Sequence, residues 1–168
     1  VRAVACESIG EELDSDRTKK VTQKRILKLG GIDALLSVIA NPTEALESLI
    51  PALWSLRNAI TNYYEAQTQF EYRDGIKIIL AVIGRGYTGA FNKQIDKVLS
   101  AVLTLLVCSI EGHEHNSRRL LLMGLEVLMD ISEGKCTKTM GANVDKYITR
   151  ALQSEGLMDV ARDILRML

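Results

Sequence analysis

Ala52-Leu53-Trp54-Ser55-Leu56-Arg57-Asn58-Ala59-Ile60 is the stretch on which the fold turns. Together with the residues before it, it places Leu46, Leu49, Ile50, Leu53 and Ile60 at helical spacing, an apolar stripe along one face. Asn41-Pro42-Thr43-Glu44 reads as the start of this helix. Asn41 would cap it, and Pro42 would take the first helical position, where its missing N–H costs nothing. Pro51 falls inside the segment and predicts a kink. Trp54 and Asn58 are four residues apart and share a helix face.

Moving outward, a glycine-led pattern recurs. Gly31-Ile-Asp-Ala-Leu-Leu-Ser-Val-Ile39 is matched by Gly75-Ile-Lys-Ile-Ile-Leu-Ala-Val-Ile83, by Gly124-Leu-Glu-Val-Leu-Met-Asp-Ile131, and more weakly by Gly156-Leu-Met-Asp-Val-Ala-Arg-Asp-Ile164. From glycine to glycine the intervals are 44, 49 and 32 residues. The first two fit the period of two- and three-helix repeats, one of them stretched by a loop. In each copy the glycine is expected to allow a sharp corner between helices. A short helix follows with one apolar face, as at Ile32, Leu35, Leu36 and Ile39. Such a helix cannot bury that face alone, so neighbouring units must stack. After the second copy and the loop Gly84 to Asn92, a long helix is predicted with Ile95, Val98, Leu99, Val102, Leu106 and Ile110 as its stripe. No low-complexity linker interrupts the pattern, so residues 1–168 read as one domain.

The Ala52–Ile60 segment resembles the third helix of an armadillo repeat, whose pattern Ala-Leu-Trp-x-Leu-x-Asn-[Leu/Ile]-Ala it matches through Trp54 and Asn58. Gly30-Gly31-Ile32-Asp33-Ala34-Leu35 is similar to the family's Gly-[Ala/Gly]-Ile-Pro-x-Leu corner, with Asp33 in the proline position. Asn116 stands eight residues before Gly124, as the family's first-helix asparagine precedes its glycine. The resemblance covers residues 20 to 134. It implies an all-α fold, an armadillo-like α–α superhelix or solenoid of about three to four stacked helical repeats.

The same resemblance implies protein–protein interaction through a concave groove lined by third helices, with an extended peptide or a helix as the partner. Trp54, Arg57, Asn58 and Thr61 are the candidate contacts, and Lys97, Thr104 and Val107 would extend them on the next unit. An asparagine amide can both donate to and accept from a peptide unit, and a half-exposed indole is a large rigid contact surface. A helical tryptophan is also a common core residue. Aligning Ala101 with Ala52 puts Leu103 at the tryptophan position and Val107 at the asparagine position. A ladder of asparagines is therefore absent, and an apolar groove for a partner helix stands beside the extended peptide.

Other classes leave weaker traces. Gly84-Arg-Gly86-Tyr-Thr-Gly89 is a literal G-x-G-x-x-G. If Ile76 to Ile83 and Val102 to Ile110 were strands, with Glu111 as the acidic residue, it would suit a dinucleotide site in a Rossmann-like enzyme. The same glycine-led pattern at Gly31 lacks any such loop, which favours an inter-helix connection. Cys108, His113 and His115 lie close together, but zinc wants four ligands in a known spacing and no second pair accompanies them. No Ser/His/Asp or Cys/His order is recognisable. No catalytic residue, metal or cofactor is expected.

Lys plus Arg and Asp plus Glu both number 21, so no net field draws the chain to nucleic acid or an anionic membrane. Lys19, Lys20, Lys24, Arg25 and Lys28 read as a solvated helix face, as do Arg118 and Arg119. Binding of nucleic acid by a helical repeat remains a rival that this balance disfavours. The three cysteines Cys6, Cys108 and Cys136 suggest thiols in a reducing compartment rather than a disulfide framework. The stretch Val98 to Ile110 is too short to span a bilayer. No signal peptide opens the sequence. A cytoplasmic or nuclear protein is expected. Val1 stands inside what reads as a helix, which suggests a piece of a longer chain; oligomeric state is open.

Overall fold

Apolar residues at helical spacing become helices throughout, in a computed structural model that describes residues 4–6, 8, 19–84, 95–133 and 155–168. No strand occurs among these residues. The first unit comprises α1 (Lys19–Lys28), α2 (Gly31–Ala40) and α3 (Leu46–Ile60). The second comprises α4 (Tyr64–Tyr72), α5 (Gly75–Ile83) and α6 (Ile95–Ile110). Then come α7 (Glu114–Ser132) and α8 (Glu155–Met167). The stripe Ile32, Leu35, Leu36 and Ile39 is buried on α2, and Val98, Leu99, Val102, Leu106 and Ile110 are buried on α6. Neither α5 nor α6 is the strand that a dinucleotide fold would need at Ile76–Ile83 or Val102–Ile110. Of the glycine loop between them, Gly84 ends α5, while Gly86 and Gly89 lie outside the described residues.

The helices pack in two rows. Along one, α2 lies on α5 and α5 on α7; along the other, α3 lies on α6 and α6 on α8. Rows are joined by α2 on α3, α5 on α6 and α7 on α8, while α4 wedges against α2, α3, α5 and α6. The glycine-led pattern at Gly156 falls in α8. Leu157, Ala161 and Ile164 bury its inner face, but it occupies the place of α3 and α6 rather than opening a fourth unit.

The corners differ from expectation in an instructive way. The left-handed residues are Gly30 (φ 72) and Asp74 (φ 55), one position before each motif glycine. Gly31 and Gly75 are needed for space instead. A Cβ on Gly31 would come 2.5 Å from Ile26 Cγ2, and one on Gly75 would come 2.3 Å from the Phe70 ring. In the third copy there is no corner at all. Gly75 lies 12 positions after the N-cap Tyr63, whereas Gly124 lies 11 after the N-cap His113. The residue that would turn the chain is missing, and α7 runs on through Gly124 as a single helix of 19 residues. The close neighbour shifts with it. A Cβ on Gly124 would meet Leu120, four residues back, at 2.7 Å, in place of the residue five back.

Asn41 does not start α3. Its side-chain oxygen accepts from the Thr43 N–H at 3.1 Å and the Thr43 hydroxyl at 2.9 Å, and its amide donates to Glu44. That local turn competes with helix and delays α3 to Leu46, after an Ala45 cap with no side-chain bond. Pro51 lies inside α3 without ending it.

Candidate functional site

The third helices are anchored at their C-termini by buried amides on the first helices. A helix leaves its last carbonyls without intrahelical donors. Gln23 of α1, 3% exposed, donates to the carbonyls of Asn58 and Thr61 at 2.9 and 3.0 Å. Gln67 of α4, 2% exposed, donates to those of Cys108 and Glu111 at 2.7 and 2.9 Å. Each glutamine stands eight residues before its motif glycine. Asn116, fully buried, donates to the carbonyls of Ser109 and Gln67 at 2.8 and 3.3 Å. These amides set the height and rotation of α3 and α6. Of the three, only Asn116 carried a resemblance; the matching recurrence of Gln23 and Gln67 at the glycine interval of 44 was the signal for the other two.

The anchors also fix the register between α3 and α6. Asn58 and Thr61 correspond to Cys108 and Glu111, a shift of 50. Asn62 (φ 54) and Gly112 (φ 70), the left-handed residues that follow, agree with it. Trp54 therefore matches Thr104, not Leu103, and Arg57 matches Val107. Asn58 matches the buried Cys108, so the second unit has no counterpart to its amide. Leu103 is wholly buried.

On α3, Trp54, Arg57 and Asn58 are half-buried, as is Thr61 at its C-cap. The Arg57 guanidinium carbon lies 5.1 Å from the centre of the Trp54 ring, a cation–π contact that holds both side chains. Arg57 Nε is buried with no hydrogen-bond acceptor among the described residues. The Thr61 hydroxyl donates to the Arg57 carbonyl at 2.6 Å. Next to Trp54, the Ser55 hydroxyl donates to the Cys6 carbonyl, which ties the helical residues near the start of the chain to α3.

Between α3 and α6 runs a groove of about 350 Å³ lined by Ile50, Trp54, Asp96, Lys97 and Ser100. Its α3 wall is apolar and its α6 wall is polar and charged. Of the seven candidate contacts, Trp54 and Lys97 meet here. Thr104 and Val107 lie further along α6, half-buried, and the Thr104 hydroxyl is used by the Ser100 carbonyl at 2.7 Å. Arg57, Asn58 and Thr61 continue along α3 beyond the groove. On α1, Lys20, Lys24, Arg25 and Lys28 are exposed.

His113 has a structural task. It caps α7, its Nδ1 accepting from the Asn116 N–H at 3.3 Å. The ring proton then sits on Nε2 and goes to the Thr68 hydroxyl at 3.2 Å, which itself donates to the Tyr64 carbonyl. The Tyr64 ring lies 4.9 Å away. Burial pushes the His113 pKa below its ordinary 6.5, aided by His115 and opposed by Glu71. A histidine with a depressed folded pKa binds protons more readily when unfolded, so its contribution to stability is whole above 6.5 and is lost as pH falls below that value. Urea midpoints are expected to drop between about pH 7 and about pH 5. His113→Asn, which can still cap, should flatten that slope; a slope unchanged in the variant would show that other groups govern it. Cys108 is buried and His115 exposed, and no three His, Cys, Asp or Glu side chains gather as a metal site among the described residues. Cys136 lies outside them. No described helix is long and apolar enough to cross a membrane.

No family model, curated protein or solved structure matches the chain.

Proposed function

We propose that this chain is a protein–protein interaction module, an armadillo-like α–α superhelix that receives a partner's helix or extended peptide along its third helices. The observation that carries this reading is the groove between α3 and α6, with a half-buried tryptophan fixed under Arg57 on one wall and Lys97 on the other. A rigid indole beside a charged rim supplies apolar area at small entropic cost. The mechanism is binding alone: a preformed shape, an apolar anchor at Trp54, and polar bonds from Asn58, Arg57 and Lys97 to the partner. No chemistry, cofactor or metal enters it. A cytoplasmic setting, with the nucleus as the other candidate, goes with this reading; the two described cysteines, Cys6 and Cys108, are buried.

The test is a paired capture from eukaryotic lysate, read by mass spectrometry. The bait is this chain, and the control is Trp54→Ala/Asn58→Ala, checked for intact helix by circular dichroism. A partner should be held by the wild type and depleted at least about tenfold on the folded variant, the loss that removing a central aromatic anchor produces. Equal capture by both would clear the α3 face of this role.

A further inference from the structure

Arg57 stands apart from the other arginines. Arg73, Arg118, Arg119, Arg162 and Arg166 each hold a carboxylate, and Arg25 is exposed on α1. Arg57 is half-buried, yet its guanidinium has neither a hydrogen bond nor an ion pair among the described residues. Its Nε is sealed from solvent without an acceptor. A charged donor taken out of water with nothing to accept from it is costly, and such a group in a folded protein calls for a cause. The guanidinium lies over the Trp54 indole and keeps its terminal nitrogens, Nη1 and Nη2, at the surface. They form a planar fork that fits a carboxylate through two parallel bonds.

The charges on the facing helix leave that fork open. Level with Arg57 on α6, in the register that the glutamine anchors set, is Val107, half-buried and neutral. Asp96 lines the groove beside Lys97, but it matches Leu46, about 16 Å before Arg57 along the helix axis. Glu111, level with Thr61, is exposed and makes no ion pair with Arg57. We propose that Arg57 sets the specificity of the groove: it receives the carboxylate of an aspartate or glutamate of the partner, next to an apolar side chain that enters at Ile50 and Trp54. This rests on the interaction reading above and gives the partner segment its chemistry, acidic and apolar rather than basic. Trp54 and Arg57 are one turn apart, about 4.5 Å along α3, so the partner carries its acidic and apolar residues within about four positions of each other. The indole and the closed side at Nε keep water from much of the guanidinium, which strengthens a charge pair there. The same desolvation discriminates. A neutral residue would leave the fork unpaired, and a basic one would be repelled.

A phage-displayed library of random peptides about twelve residues long, panned on the whole chain, tests this. The wild type should enrich peptides with Asp or Glu at a fixed separation from a large apolar residue. Trp54→Ala/Asn58→Ala should lose these peptides, and Arg57→Glu should exchange the acidic residue for Lys or Arg at the same place. One selected peptide is then made with its acidic residue replaced by the amide, and its binding is read by fluorescence anisotropy. That change should weaken binding to the wild type at least about tenfold and to Arg57→Gln less than about twofold. Circular dichroism checks that each variant is folded. Peptides that need Trp54 but show no acidic preference overturn the role of Arg57 and leave the groove standing. An acidic preference that persists on Arg57→Gln overturns it as well, because the carboxylate then binds elsewhere. If no selected peptide depends on Trp54, the interaction reading fails and this inference with it.

Discussion

Gln67→Leu is expected to destabilise the fold by about 2–4 kcal/mol and to lower the thermal midpoint by roughly 5–15 °C. The volume is nearly conserved, so packing contributes little. What is lost is the donor to two carbonyls. At the end of α6 the accounting is nearly complete: Glu111 N–H bonds the Val107 carbonyl, Gln67 that of Cys108, Asn116 that of Ser109, and His113 N–H that of Ile110. The Glu111 carbonyl also belongs to Gln67. With leucine at position 67, two of these acceptors would be left dry, each at a cost of about 1–3 kcal/mol. Urea unfolding of wild type and variant measures the difference. A loss under about 1 kcal/mol would mean that water reaches the end of α6 and replaces the amide.

Gly75→Ala should cost about 1–3 kcal/mol, although alanine is the better helix former. The added methyl would stand 2.3, 2.4 and 2.6 Å from three atoms of the Phe70 ring. That ring is wholly buried and has nowhere to retreat. Phe70→Leu makes room, because leucine lacks Cε2, the ring atom nearest the added methyl, and can turn its branched end aside as a flat ring cannot. The double variant Gly75→Ala/Phe70→Leu should therefore be less destabilised than the sum of the two single variants. The non-additivity, read from a double-mutant cycle in urea, is the signature. Simple additivity would mean that the backbone between α4 and α5 yields instead of the ring.

Much of the helical layout could be read from the chain because the stripes on α2, α3 and α6 are long and regular. Ile32, Leu35, Leu36 and Ile39 admit no other period, and the recurrence of Gly-Ile at an interval of 44 set the first two units. Local rules failed where two motifs compete for the same residues. Asn41 and Pro42 form a good helix start and an equally good turn, and the Thr43 contacts decided for the turn. The motif glycines were read as corner residues, whereas the turn belongs to the position before them, a distinction that needs torsion angles. The merger of two helices into α7 hangs on one missing residue, which an inexact repeat hides. At the candidate site, the sequence placed Trp54 and Asn58 on one face of α3 through their spacing. It set α6 against α3 out by one, because loops of unequal length come before the two helices and the shift shows only in the glutamine anchors and in the left-handed Asn62 and Gly112. The outward apolar face of α7 went unread for a related reason. Leu121, Leu122, Leu125 and Met129 share their helix with an equally apolar inner face, and composition does not say which side meets the core.

The unbroken course of α7 has a mechanical side. In the first two units the first and second helices are articulated at Gly30 and at Asp74, so each can pivot when a few backbone torsions change. α7 has no such joint. Its 19 residues form a bar about 28 Å long, clamped at one end by His113 and Asn116 and packed against α8. A displacement imposed at the clamped end must reappear at Ser132 with little loss, while the same push on α1 or α4 would be absorbed at the nearest corner. Bending is thus expected at the Gly30 and Asp74 corners rather than within α7.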